Sequence, residues 1–213
     1  MRNLSPFVKH TIIFGICRLV RPVHAARLRR LAARAAQGAR LNLGSGGHNA
    51  PGWINVDISF RSRPDIILDL TRALPLPDAS VQFIFTEDFI EHIEKEQCQA
   101  FIKECRRMLK PGGVLRVRTP NLRLIAEQYL TRDPHSLAWY REQFGSQTHA
   151  DMLNAAYHKM EHRFMYDRET LGALLEQAGF SVHEAGFGQS LVPELAAMDQ
   201  RKSGLTLDAV RPS

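Results

Sequence analysis

Three cysteines in 213 residues are too few for a disulfide framework. Cys17, Cys98 and Cys105 also lack paired short spacing, which argues against a zinc cluster. Cys98 and Cys105 sit at helical spacing and read as small core fillers in a reducing cytoplasm. Long apolar runs are missing too. Thr11 to Val20 is apolar but broken by Arg18, well short of the roughly 20 residues that span a bilayer. There is no internal repeat, and no low-complexity tract beyond an arginine-rich stretch near the start.

Acidic residues are absent before Asp57. Nine of the 28 basic residues precede it, leaving 19 against all 22 acidic ones in the remainder. The net charge of +6 therefore belongs to an arm, residues 1–38, and the rest is mildly acidic. Such arms meet polyanions: nucleic acid, anionic lipid or an acidic partner face. The arm lacks interleaved aromatics for base stacking, so nucleic acid ranks below an anionic membrane surface. From Val23 to Ala36, apolar and arginine residues recur at helical spacing, with Leu28, Leu31 and Ala35 on one side. Pro22 can open that helix and Gly38 can close it. A helix packed on the core is the plainer reading; an amphipathic segment lying on anionic membrane is the sharper one.

What the sequence does have is a stretch that orders the rest, Ala39 to Asp57, ARLNLGSGGHNAPGWINVD. It reads as strand, glycine turn, strand, carboxylate. A glycine turn lets backbone approach a ligand that a Cβ would obstruct. A carboxylate at the next strand tip can accept hydrogen bonds from both ribose hydroxyls. Two fingerprints are missing. The third glycine of G-x-G-x-x-G is replaced by Asn49, and Asp57 comes too early for that motif. No Gly-Lys-Ser/Thr follows, so neither a nicotinamide nor a nucleoside triphosphate is supported.

Further along, Asp65 to Leu70 reads as a short strand and Val81 to Phe85 as another. Glu94 to Leu109 is a helix with an apolar stripe at Phe101, Ile102, Cys105, Met108 and Leu109, stopped by Lys110-Pro111-Gly112-Gly113. Val114 to Thr119 alternates as a strand. Asp167 caps a helix that Gly179 closes, and strands at Phe180 to Phe187 and Leu205 to Val210 end the pattern. Residues 122–166 fit the sheet pattern least; their length and their aromatic and histidine content predict a lid.

LNLGSGG, GWINVDIS, DLTRALPLPDASVQFIFTEDFIEHI and ECRRMLKPGGVLRVRTPNL occur in that order. Together they resemble the class I S-adenosylmethionine-dependent methyltransferases, nearest the small members with an "LPF-D-S-D…LEHI" block. The likeness covers about Arg40 to Phe180 and extends to the last strand. It implies an α/β fold over residues 39–213: a Rossmann-like, doubly wound, mostly parallel seven-stranded sheet with helices on both faces. It implies S-adenosylmethionine as cofactor, held by Gly44, Ser45 and Gly46, by Asp57 and Ile58 at the ribose, and by Asp69 and Leu70 at the adenine. Glu87 is placed near the amino acid end of the cofactor. A donor-dependent enzyme needs the cytoplasmic cofactor supply, so Val23-His24-Ala25 is not read as a signal-cleavage site. The expected location is the cytoplasm, with the arm able to meet the inner face of the membrane.

A hydroxyl acceptor needs a base, and histidine suits this near neutral pH. The candidates are His92 in FIEHI, and His158 and His162, four apart and on one face if that segment is helical. HKMEH is not HExxH, so no metal is expected. The acceptor reads as a small molecule or glycan. The competing readings are a fold-retaining protein that binds the cofactor without catalysis, and a nucleic-acid binder using the arm.

Overall fold

A computed structural model describes residues 6–33 and 38–213. The two segments around the glycine turn form strands β1, Ala39–Leu43, and β2, Ile54–Asp57. They pair in parallel, Leu41 beside Ile54 and Leu43 beside Val56, which brings the turn and Asp57 to the same end of the sheet. β3, Ile66–Ile67, is shorter than the expected Asp65 to Leu70. Asp65 instead accepts hydrogen bonds from the Asn55 backbone N and Nδ2, each at 2.9 Å, and the chain turns at Asp69. β4, Val81–Glu87, runs past its expected end.

Helix α2, Lys95–Met108, starts at a reciprocal cap between Glu94 and Gln97. Its stripe of Cys98, Phe101, Ile102, Cys105 and Met108 is buried as expected. Each large apolar side chain there contributes about 1.5–3 kcal/mol. Strand β5, Leu109–Thr119, takes in the Lys110–Gly113 stop. The register slips there, from Val81 beside Leu109 to Phe83 beside Val114, so the glycine pair is a bulge rather than a free turn. After α6, Arg168–Gln177, strand β6 covers only Ser181–Glu184 of the expected Phe180 to Phe187. Strand β7, Leu205–Val210, runs antiparallel to β5 and β6. The sheet order is β3-β2-β1-β4-β5-β7-β6, so the strand order reverses between β1 and β4. Ligands of such sheets bind beyond the carboxyl ends at that switch point.

Helix α1 spans Pro6–Ala33 and differs from the expected Val23 to Ala36. Pro22 lies inside it rather than at its start; its ring is on the exposed face, where water can satisfy the carbonyl it strands. Cys17, Ala25 and Leu28 bury one side of α1, and Ile67 N donates to His24 Nδ1 at 3.1 Å. Ala35 lies outside the described residues. No described helix is long and apolar enough to cross a membrane.

The insertion is a folded unit, with α3, Leu122–Leu130, α4, Pro134–Phe144, and α5, His149–Asn154, which continues into a π turn, Ala155–Lys159. Ile125, Tyr140, Met152, Ala156 and Met165 form its own core. The sheet face under β4 and β5 is covered by residues 185–204, including the short α7, Pro193–Ala196.

Candidate active site

Two buried asparagines hold the glycine turn from below. Asn42 Nδ2 donates to Asn55 Oδ1 at 3.0 Å and to the His48 carbonyl at 2.8 Å, and Ala50 N donates to Asn55 Oδ1 at 2.8 Å. Gly44 has φ +71°, and a Cβ there would stand 2.7 Å from Phe89 Cβ. The missing side chain thus lets the loop after β4 close on the turn. Gly46, φ +51°, donates its N–H to Asp57 Oδ2 at 2.8 Å, while Ser59 N donates to Oδ1 at 2.6 Å. Above Gly46 and Gly47 there is open space: nothing lies within 4 Å of a Cβ at either. Ser45 is buried under this turn and Ile58 is half-buried just past Asp57. The structure thus brings Gly44, Ser45, Gly46, Asp57 and Ile58 together.

Other expected cofactor residues have partners of their own. Asp69 accepts from Thr71 N at 3.0 Å, Thr71 Oγ1 at 2.6 Å and Arg72 Nε at 3.1 Å, in a groove beside Cys17, Arg18 and Arg21 of α1. Leu70 is buried in the main core. Glu87 pairs with Arg118 Nε at 2.9 Å and accepts from the backbone N–H groups of Gln200 and Arg201 at 3.1 and 3.2 Å. It braces the covering segment.

A cavity of about 390 Å³ opens where the insertion meets the strand ends, lined among others by Asp88, Asn121, His135, Trp139, His162 and Arg201. At its edge the His92 and His162 rings meet edge to face, centroids 5.0 Å apart. Glu91 lies behind them, fully buried. Its Oε2 accepts from Thr119 Oγ1 at 2.9 Å, whereas Oε1 and His162 Nδ1 have no hydrogen-bond partner. Burial, and then the Asp88 charge, push the Glu91 carboxyl up to about 8. Burial, and then His92, hold the His162 imidazole down to about 4. The insertion's returning segment is tied here, with Arg163 N donating to the Glu91 carbonyl at 2.7 Å.

One donor atom from each of Glu91, His92 and His162 lies within 4.8 Å of the others. His158 does not join them. The π turn and the left-handed Glu161, φ +58°, break the expected helical face, and His158 is exposed beside Phe144 and Asp151. The sequence reading missed Glu91; its one signal was a charge inside the apolar FIEHI run.

A family model described as a methyltransferase domain matches residues 15–185. A probable S-adenosylmethionine-dependent methyltransferase of Mycolicibacterium smegmatis is 36% identical over 136 residues, 64% of this chain and 42% of that protein. One of Mycobacterium tuberculosis is 34% identical over 136 residues, covering 64% and 39%. The chain spans less than half the length of these curated relatives. The crystal structure of an S-adenosylmethionine-dependent methyltransferase from Archaeoglobus fulgidus superposes with a TM-score of 0.53 at 17% identity, covering 94% of this chain and 99% of that one. An O-methyltransferase family protein of Burkholderia thailandensis gives 0.51 at 14% identity, covering 95% and 59%. These two likenesses carry the fold alone.

The residues fit the family's cofactor, S-adenosylmethionine. The open cradle over Gly46 and Gly47 admits a ligand against backbone, Asp57 offers a carboxylate beside it, and the buried Thr86 Oγ1 at the end of β4 lacks a hydrogen-bond partner. The chain belongs to the class I S-adenosylmethionine-dependent methyltransferases.

Proposed function

We propose that this chain transfers a methyl group from S-adenosylmethionine to a hydroxyl of a small-molecule or glycan acceptor held in the cavity under the insertion. The observation that carries this reading is the Glu91–His92–His162 cluster at the cavity edge. When bound, the cofactor supplies an electrophilic methyl on a sulfonium centre. Gly44 to Gly46 and Asp57 would hold it, and the folded insertion keeps water from the acceptor side.

An attacking hydroxyl must lose its proton. His162 lines the cavity and is neutral at neutral pH because burial disfavours its cation. A proton arriving there creates a positive charge within 4.8 Å of Glu91, which then favours the carboxylate form. Trp139 presents an exposed ring among His135, Asn121 and Gln128, a mixture that suits a hydroxyl-rich ring.

Radiolabelled S-adenosylmethionine, offered with a panel of glycans and small alcohols, is the test. Label transfer that disappears in His162→Ala while the variant still binds S-adenosylhomocysteine supports the proposal. Cofactor binding without transfer to any acceptor would make the chain a binding protein of the same fold.

A further inference from the structure

The outward face of α1 has no role in the site. Ile16, Leu19 and Val23 follow one another at helical spacing on it, and Leu19 and Val23 are 81% and 71% exposed. Arg18, Arg27 and Arg30 flank and continue this stripe, all exposed, and the helix contains no acidic residue. The opposite side is anchored to the domain by Cys17, Ala25 and Leu28, and by Arg21, which donates to the Ala73 carbonyl at 2.9 Å. The stripe is therefore presented on a fixed element.

We propose that this face of α1 lies in the surface of an anionic lipid bilayer, Leu19 and Val23 entering the acyl boundary and the arginines meeting headgroup phosphates. Two independent features meet only in that partner. Exposed leucine and valine gain nothing from a hydrated polyanion, and an apolar protein groove gains nothing from arginines. An interfacial helix uses both at once, apolar side chains below and cations at the headgroup level. Arginine also suits the role, because its fork of donors matches phosphate oxygens. A second copy of the chain is disfavoured by charge: α1 has no acidic residue to pair with the arginines that a two-fold contact through this face would bring together.

The orientation has a consequence for substrate. α1 packs over β3, β2 and β1, at the edge of the sheet away from β6 and β7. A domain seated through α1 would meet acceptors at the membrane surface rather than in bulk solution. This consequence rests on the methyl-transfer reading; the membrane contact itself does not.

Co-sedimentation with vesicles of phosphatidylcholine, with or without phosphatidylglycerol, tests the contact on the full chain. Sedimentation is expected with the anionic vesicles alone. It should fall steeply toward about 1 M salt, where the Debye length is roughly 3 Å. Leu19→Glu/Val23→Glu and, separately, Arg27→Glu/Arg30→Glu should each weaken it by about tenfold or more. All four side chains point to solvent, so circular dichroism should show a folded protein. No sedimentation at low salt would overturn the proposal. So would vesicle binding that survives Leu19→Glu/Val23→Glu, since the apolar stripe would then be idle. Tighter binding to duplex DNA or RNA, lost with the arginines and indifferent to Leu19 and Val23, would give the face to nucleic acid. Self-association lost with Leu19→Glu/Val23→Glu, together with no vesicle binding, would give it to a second copy.

Discussion

The His92 and His162 rings stand 5.0 Å apart at 65°, though one lies ahead of α2 and the other at the far end of the insertion. Their meeting ties the cavity's roof to the loop after β4. The two imidazoles are not equivalent: His162 lines the cavity, whereas His92 is exposed beside it. With an acceptor in hand, His162→Ala should lower turnover by roughly 10²–10⁴, the scale of a lost general base. Affinity for S-adenosylhomocysteine should stay within about twofold, because the lost interaction belongs to the acceptor's transition state. His158→Ala, on the far side of the insertion, should leave turnover unchanged. Steady-state kinetics of the two variants decide the matter, and a loss in His158→Ala equal to that in His162→Ala would refute the assignment.

Glu91 and His162 have opposite effects on stability as pH changes. The Glu91 carboxyl is raised to about 8, so the folded state holds a proton that the unfolded chain has released above its ordinary value of about 4.5. Its stabilisation is full below that value and is lost as pH rises through 8. The His162 imidazole is lowered to about 4 from an ordinary 6.5, so the unfolded chain takes up a proton first as pH falls. Its stabilisation is full above 6.5 and drains away toward 4. Between 4.5 and 6.5 the two slopes oppose; between 6.5 and 8 only that of Glu91 remains. Asp88 acts on the Glu91 midpoint, His92 on that of His162, and Arg201 on both. Urea unfolding should show stability falling by roughly 2 kcal/mol from pH 6.5 to 8, and Glu91→Gln should flatten that slope. An equal slope in the variant would mean that Glu91 is ionised in the folded protein.

Much of this was legible because it is local. Leu41 and Leu43 before Gly44, and the apolar strand that ends on Asp57, needed only a period of two and a glycine. The α2 stripe follows from a period of 3.6. The failures have physical causes as well. Pro22 signalled a helix start, but on an exposed face the lost hydrogen bond is cheap enough for α1 to run through it. The four-residue spacing of His158 and His162 signalled a shared face, which a π turn cannot keep. Glu91 and His162 meet only through tertiary structure, with no local pattern to announce it.

Asp57 offers the sharpest test of the cofactor cradle. It is nearly buried and already accepts two backbone hydrogen bonds, from Gly46 and Ser59. Removing the carboxylate loosens the turn and takes away the acceptor for a ribose. Asp57→Ala should weaken S-adenosylhomocysteine binding by about 1–3 kcal/mol in calorimetry. Asp57→Glu should recover little, since its longer chain cannot keep both backbone bonds. Gly44→Ala should instead destabilise the fold, because its Cβ collides with Phe89 in a left-handed backbone. Unchanged affinity in a folded Asp57→Ala protein would dismantle the cradle as drawn.

Arg116 carries a different lesson, in the sheet rather than the site. Its guanidinium is fully buried between Asp199 and Asp208, with Nε 2.8 Å and Nη2 2.7 Å from Asp199 and Nη1 2.7 Å from Asp208. Arg118, two residues on, also reaches Asp199, at 2.6 Å. An alternating strand with arginines inward looks wrong in sequence, because the balancing charges lie 83 and 92 positions away. A buried pair of this kind adds little net stability, yet breaking it by removing one partner is costly. Arg116→Met should therefore lower unfolding stability by about 3–5 kcal/mol, leaving two aspartates buried and short of donors. The damage should spread: Asp199 also accepts from Gly188 N at 2.8 Å, and Asp208 from Ser190 Oγ at 2.6 Å, so residues 185–204 lose their anchor. Arg201, Ser203 and Gly204 of that segment wall the cavity. In a variant still folded at low temperature, acceptor KM should rise more than cofactor Kd, since the segment walls the cavity directly, whereas it meets the Gly44–Asp57 stretch at Ala50 and Trp53 rather than at its glycines. Urea unfolding with calorimetry checks both halves, and a destabilisation under about 1 kcal/mol would mean the aspartates find water or protons when Arg116 is gone.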